Sequence, residues 1–165
     1  MLKYGVICDK DLFEKVKNHK ENDMEALITR CVEIKRDIVS SDEFDRGTRM
    51  LLNLGHTIGH AIEAASDFTV THGHGVAAGM AIIARAAEKM GMAKAGTAKR
   101  ICDALENCGL PTAANRDAEI LFELTLSDKK SDGDFINLII PREVGHCEIL
   151  RTPKNELLGI IRSGL

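Results

Sequence analysis

The chain has 165 residues, a net charge of −3, 44% hydrophobic and 28% charged residues, the balance of one soluble globular domain able to bury a core. A pI near 6.1 leaves no basic footprint, so nucleic acid is excluded as an expected partner. No apolar run approaches bilayer-spanning length and the N-terminus has no signal-peptide pattern, so no membrane partner and a cytoplasmic location are expected.

Five cysteines, odd in number and without a CxxC pair, read as reduced thiols, with Cys31 acting as a small hydrophobe. The absence of Trp, the single Tyr and the three prolines favour helix packing over a sheet sandwich. No repeat or low-complexity linker divides residues 1–165, so a single domain is expected.

In chain order, residues 9–20 predict a short helix with Leu12 and Val16 inward. Met24, Leu27, Ile28, Cys31, Ile34 and Ile38 recur at helical spacing, with Asn22 or Asp23 as the cap, and residues 40–45 break the pattern. A second strong helix is expected over 47–65, a turn over 66–71 and a third helix from His72 to about Met90. A fourth runs from about Thr97 to before Gly109-Leu110-Pro111, and 118–126 is helical. Residues 135–140, answered by 147–150 across a loop at 141–145, predict a β-hairpin, and 155–162 closes the chain as a helix. The fold class is therefore mostly α, a helical bundle with one small hairpin near residues 135–150.

Arg49, Asn53, His56, His60 and Glu63 are spaced by four, three, four and three residues, which on one helix puts all five on one face. A solvated helix face usually carries Lys and Glu; this one carries groups that donate, coordinate and orient. Gly55 and Gly59, each costing about 1 kcal/mol relative to Ala inside a helix, suggest a backbone or ligand approaching closely. Two histidines four apart can share a metal ion, but Thr57 stands where an HExxH protease has its general base. His72 and His74 follow at the next helix start, so four of the six histidines fall within residues 53–80, which favours a metal site. Lys35 falls on the apolar side of its helix, as a snorkelling side chain or as an interior cation awaiting an anion. The Gly73-x-Gly75-x-x-x-Gly79 run misses the GxGxxG spacing and follows no predicted strand, so it is not read as a nucleotide loop.

Taken together, RMLLNLGHTIGHAIE at 49–63 and HGHGVAAGM at 72–80 resemble the signature of the 3-dehydroquinate synthase family. DEFDRGTR at 42–49, GLPT at 109–112, DKK at 128–130 and the opening MLKYGVI at 1–7 are similar to further landmarks of that family, in order. The resemblance implies the helical C-terminal domain of the dehydroquinate synthase-like fold. It also implies a lyase of the shikimate route to chorismate and the aromatic amino acids, which converts the seven-carbon sugar-acid phosphate DAHP to 3-dehydroquinate with a divalent metal (zinc or cobalt) and NAD.

Carried over by position, the resemblance assigns His56 and His72 to the metal and His60, Lys35, Arg49 and Asn53 to the catalytic and substrate-contacting set. This separates His56 and His60, which spacing alone paired. Lys3, Asp45 and either Lys129 or Lys130 fall at substrate-binding positions, although Asp45 stands where the family typically has Glu; His74 receives no role. The family's third metal ligand is a Glu directly ahead of the residue matching Met1, and its NAD-binding domain lies further upstream. The implied partners are thus the sugar-acid phosphate, an N-terminal NAD domain and further copies of the protein in a homo-oligomer, with no activity expected from residues 1–165 alone. The competing expectations are a related sugar-phosphate cyclase and a non-catalytic helical metal-binding module.

Overall fold

A computed structural model describes residues 1–18, 23–42, 47–128 and 133–165. Its elements are α1 (Leu2–Cys8), α2 (Lys10–Lys17), α3 (Met24–Ser41), a 3₁₀ segment (Thr48–Asn53), α4 (His56–Ala65), α5 (His72–Lys89), α6 (Thr97–Asn107), α7 (Ala118–Asp128), β1 (Phe135–Glu143), β2 (His146–Pro153), a 3₁₀ turn (Lys154–Glu156) and α8 (Leu157–Gly164). Helix α5 is the axis of the bundle and packs against α4, α6, α8 and β1. Its apolar residues surround it on every side, among them Ala81, Ile82, Ala84 and Ala86 with no exposed surface, as expected for a helix enclosed by others. The many alanines keep that girth small, and each fully buried Ile adds about 1.5–3 kcal/mol of burial.

Each predicted helix has a counterpart, the one expected over 47–65 in two pieces, and α1 is additional, a segment whose Leu2, Val6 and Ile7 are buried. Helix α2 is capped by Asp9, whose side chain accepts from the Leu12 amide at 2.8 Å, and buries Leu12 and Val16 as expected. On α3 the inward line is Leu27, Cys31 and Ile34; Ile28 is 51% exposed and faces outward, contrary to expectation. Lys35, expected on the buried side, is exposed, because the buried stripe is only as wide as that line. Asp23 stands at the N-cap of α3 without a side-chain capping hydrogen bond.

The continuous helix expected over 47–65 is two pieces. The 3₁₀ segment ends at Asn53, Leu54 turns extended, and Gly55 takes φ 78° before α4 begins. Only glycine adopts that left-handed conformation at no steric cost. The stripe from Arg49 to Glu63 is therefore not one helical face, and only His56, His60 and Glu63 share α4.

The crossing of α4 with α5 explains the break. A Cβ at Gly55 would lie 2.5 Å from the Val76 carbonyl, one at Gly59 would lie 3.0 Å from the Gly75 backbone, and one at Gly79 would overlap the Gly55 carbonyl. Residues 55, 59 and 63 thus run past 79, 75 and 72, an antiparallel pair of helices in direct backbone contact. The close approach suggested by Gly55 and Gly59 is real, and the rejected Gly73–Gly79 run supplies its other side.

The hairpin is longer than expected. β1 and β2 pair antiparallel from Phe135↔Pro153 to Glu143↔His146, with an irregularity between Pro141 and Glu143. Proline lacks a ladder donor and is tolerated there. Ile136, Leu138 and Ile140 turn inward on the pleat. Helix α8 closes the core with Leu157, Ile160 and Ile161 buried, and Arg85 of α5 donates from Nε to the Gly164 carbonyl at 2.6 Å. All five cysteines are free thiols, with Cys31 and Cys147 buried. Among the described residues no helix is long and apolar enough to cross a membrane.

The crossing predicts opposite signs for two glycine-to-alanine changes. Gly79→Ala, forced against the Gly55 carbonyl, should destabilise by about 1–3 kcal/mol. Gly159→Ala, within α8 and facing open space, should stabilise by about 0.5–1 kcal/mol. Urea midpoints of the two variants decide it, and equal shifts would contradict the packing.

Candidate metal centre

Three imidazoles converge at the α4–α5 crossing. His56 opens α4, His60 lies one turn on, and His72 opens α5 across from Glu63. Ring centres are 5.6 Å apart for His56–His60, 5.2 Å for His56–His72 and 5.7 Å for His60–His72. Two imidazoles on one tetrahedral ion, with metal–nitrogen distances of about 2.1 Å, place their ring centres roughly 5 Å apart. The cluster therefore fits a shared divalent ion. Donor atoms of His60, Glu63 and His72 lie within 4.8 Å of one another, a set that differs from the His56–His72 pair implied by the resemblance.

Two hydrogen bonds bear on which nitrogens are available. His56 Nδ1 lies 3.1 Å from the Leu54 carbonyl, which can only accept, so Nδ1 carries the proton and Nε2 is left as the donor atom for a metal. His72 Nδ1 lies 3.0 Å from Glu63 Oε1.

The surroundings are cationic. Lys3, on α1, donates from Nζ to the Leu52 carbonyl at 2.7 Å. Its pKa is lowered to about 8, first by burial and then by the positive charge of Lys35. His56 is lowered to about 4, mainly by burial, then by Lys3, with smaller contributions from His72 and His60 and an opposing one from its bond to Leu54. A neutral imidazole is the form that binds metal. Partly desolvated cations side by side are stabilised by an anion such as carboxylate or phosphate.

The cluster borders two hollows. One, of 280 Å³, is lined by Lys3, His56, His72, Met80 and Leu105 among others. The second, of 250 Å³, is lined by His60, Glu63, Phe68, Leu124 and Ser127 with Ala64. A bigger hollow of 580 Å³ along α2 and α3 includes Arg30 and Asp9, already paired at 2.8 Å, and touches none of these histidines.

The structure thus brings together His56, His60 and His72, with Lys3 beside them and Lys35 near Lys3. Arg49 and Asn53 sit on the 3₁₀ segment before the Leu54–Gly55 break; the Arg49 amide donates to Asp42 Oδ2 at 3.1 Å, and Asn53 is exposed. Asp45, Lys129 and Lys130 lie outside the described residues. His74 is turned to Thr71, its Nδ1 2.6 Å from Oγ1. The contacts of Glu63 with His72 and of Leu54 with His56 were not expected. Glu63 stood in the polar stripe without a task, whereas a backbone carbonyl leaves no trace in a sequence.

In structure the chain is similar to a 2-deoxy-scyllo-inosose synthase complexed with carbaglucose-6-phosphate, NAD+ and Co2+, at TM-score 0.78 and 24% identity, over 99% of this chain and 49% of that one. It is also similar to the 2-epi-5-epi-valiolone synthase of Streptomyces hygroscopicus with NAD+ and Zn2+ bound, at TM-score 0.79 and 18% identity, over 99% and 48%. Both likenesses show the fold. The sequence profile of the family described as 3-dehydroquinate synthase C-terminal matches residues 1–131, and the chain belongs to that family. It is 37% identical over 169 residues to the 3-dehydroquinate synthase of Clostridium acetobutylicum, covering 98% of this chain and 48% of the relative. It is 41% identical over 160 residues to that of Clostridium perfringens, covering 92% and 45%. The chain spans about half the length of the curated relatives it matches.

Two titrations check the electrostatics. Acylation of Lys3 should rise through pH 8, and Lys35→Ala should move that midpoint upward by removing the neighbouring charge; an unmoved midpoint would contradict the pairing. Because His56 titrates near 4 when folded against an ordinary 6.5, the unfolded chain binds more protons between those values. Stability should therefore fall as pH drops from 6.5 toward 4. Urea midpoints at pH 7 and at about 4.5 should differ less for His56→Gln than for the parent chain.

Proposed function

We propose that residues 1–165 form the single metal- and substrate-holding domain of a 3-dehydroquinate synthase, working with a separate NAD-binding domain on DAHP. Membership of the family supports this, but the observation that carries it is the convergence of three imidazoles, 5.2–5.7 Å apart, beside the depressed Lys3 amine.

In this reading His56 and His72 hold the divalent metal, zinc or cobalt, each through a ring nitrogen. The bound metal would polarise the hydroxyl oxygen of the substrate and NAD would accept and return the hydride. The chain's own groups do the rest. His60, on the side of the cluster facing the second hollow, moves a proton at the substrate. Lys3, Lys35 and Arg49 hold carboxylate and phosphate oxygens, charges that offset their mutual repulsion. Asn53 donates to substrate hydroxyls, and Asp45 with Lys129 or Lys130 completes the binding set. The steps so served are oxidation at the C5 hydroxyl, elimination of phosphate, return of the hydride and ring closure.

A related sugar-phosphate cyclase is the second reading, favoured by the fold likeness to the two solved cyclases. Curated relatives at 37–41% identity named 3-dehydroquinate synthase rank it lower.

The experiment joins this chain to the NAD-binding half of the Clostridium acetobutylicum relative and follows phosphate release from DAHP with NAD and zinc. Release by the joined protein and none by the chain alone is expected. His60→Ala in the joined protein should lower kcat by about 10²- to 10⁴-fold, the usual worth of a positioned proton-transfer group. Steady-state release by the chain alone would sink the two-domain reading, and turnover of a hexose phosphate instead of DAHP would select the related cyclase.

A further inference from the structure

Glu63 has no part in the proposed function, yet its side chain is largely buried beside the cluster. It reaches from α4 to the start of α5, where Oε1 lies 3.0 Å from His72 Nδ1. The Glu63 side chain is 14% exposed against 58% for His72, so the acid is the fixed partner and the imidazole the one being held. Its channel depends on Gly75, where a Cβ would lie 3.0 Å from Glu63 Cγ and 3.2 Å from Oε1.

Glu63 meets α5 at its first turn. The first turn of α5 has no acidic residue of its own, and Thr71 at its N-cap makes no side-chain capping bond. An ionised carboxylate only accepts hydrogen bonds, so the proton between the two groups belongs to His72 Nδ1. His72 is then left with a bare Nε2. The same state is set for His56 by a different acceptor, the Leu54 carbonyl at 3.1 Å. The two rings thus present the same nitrogen, by an acid in one case and a backbone oxygen in the other.

We propose that Glu63 is a positioning residue that holds His72 through Nδ1, so that Nε2 of His72 faces the metal, and that it is not itself a ligand. This rests on the reading of His56 and His72 as the metal pair. Proximity of the Glu63, His60 and His72 donor atoms within 4.8 Å is then a consequence of the hydrogen bond, since Oε1 is already engaged by the ring it orients. Carboxylates in this relation to a ligating histidine fix its tautomer and raise its basicity, and their loss weakens metal affinity by about 10- to 100-fold.

The test uses this chain with Glu63→Ala, Glu63→Gln and His72→Ala. Ring ¹⁵N shifts report the His72 tautomer without metal, and competition with a chelator reports zinc affinity. In the parent chain His72 should be protonated at Nδ1. Glu63→Ala should give a mixture of tautomers and about 10- to 100-fold weaker zinc binding. Glu63→Gln, whose amide oxygen can still accept, should restore part of both, and His72→Ala should lose more than either. A parent-like tautomer and affinity in Glu63→Ala would overturn the proposal. So would a loss as large as that of His72→Ala with the tautomer unchanged, because Glu63 would then be a ligand. If His72→Ala binds zinc like the parent, the metal reading fails instead, and the tautomer in metal-free Glu63→Ala still decides the contact with Glu63.

Discussion

Backbone contact between α4 and α5 is the constraint from which the centre of the molecule follows. Gly55, Gly59, Gly75 and Gly79 remove the side chains that would hold the helices apart, and a Cβ at any of them would meet the other helix at 3.0 Å or closer. Helices with ordinary side chains at the contact lie about 8–10 Å apart; here the main chains themselves touch. That closeness sets His72, at the first residue of α5, against residues of α4, and it is why three imidazoles from two elements fit within one ion's reach. The alanine-rich girth of α5 extends the same economy of volume to its contacts with α6 and α8.

Charge is organised around this contact. Lys3 is brought in by the docking of α1, and Lys35 stands near it on the exposed flank of α3. Burial and like charge act in the same direction on Lys3 and His56, both toward the neutral form. For the histidine this suits metal coordination; for the lysine it leaves a cation that gains from an anionic ligand. The domain thus gathers partly desolvated positive charge that an anionic ligand would offset.

Much of this was legible in the sequence and some was not, for definite reasons. Period-3.6 patterning located α3 and α5 to within a residue or two, since these helices bury long apolar lines, and the β-branched run at 135–140 marked the hairpin. The glycine spacing signalled a close approach. It could not show that Gly55 would turn left-handed and end one helix before another, because the polar spacing of Arg49, Asn53 and His56 is compatible with an unbroken helix. Its spacing of four from Cys31 puts Lys35 on the apolar side of its helix, as a snorkelling or an interior cation, but the buried stripe of α3 is only one side chain wide there and Lys35 is exposed. Of the centre, the histidines could be named from residue types. The link from Glu63 to His72 depends on the antiparallel register of α4 and α5, a tertiary fact that no local pattern carries.

The interruption at Leu54 and Gly55 has an effect beyond geometry. In an uninterrupted α-helix the carbonyls of Leu52 and Leu54 would each accept from the amide four residues on. With the helix broken, both oxygens turn to side chains instead: Leu52 takes the Lys3 ammonium at 2.7 Å and Leu54 takes His56 Nδ1 at 3.1 Å. Two acceptors that regular secondary structure would have consumed are thereby released to anchor a cation and an imidazole. The kink works as an outlet for main-chain polarity, and the centre draws on it at two points.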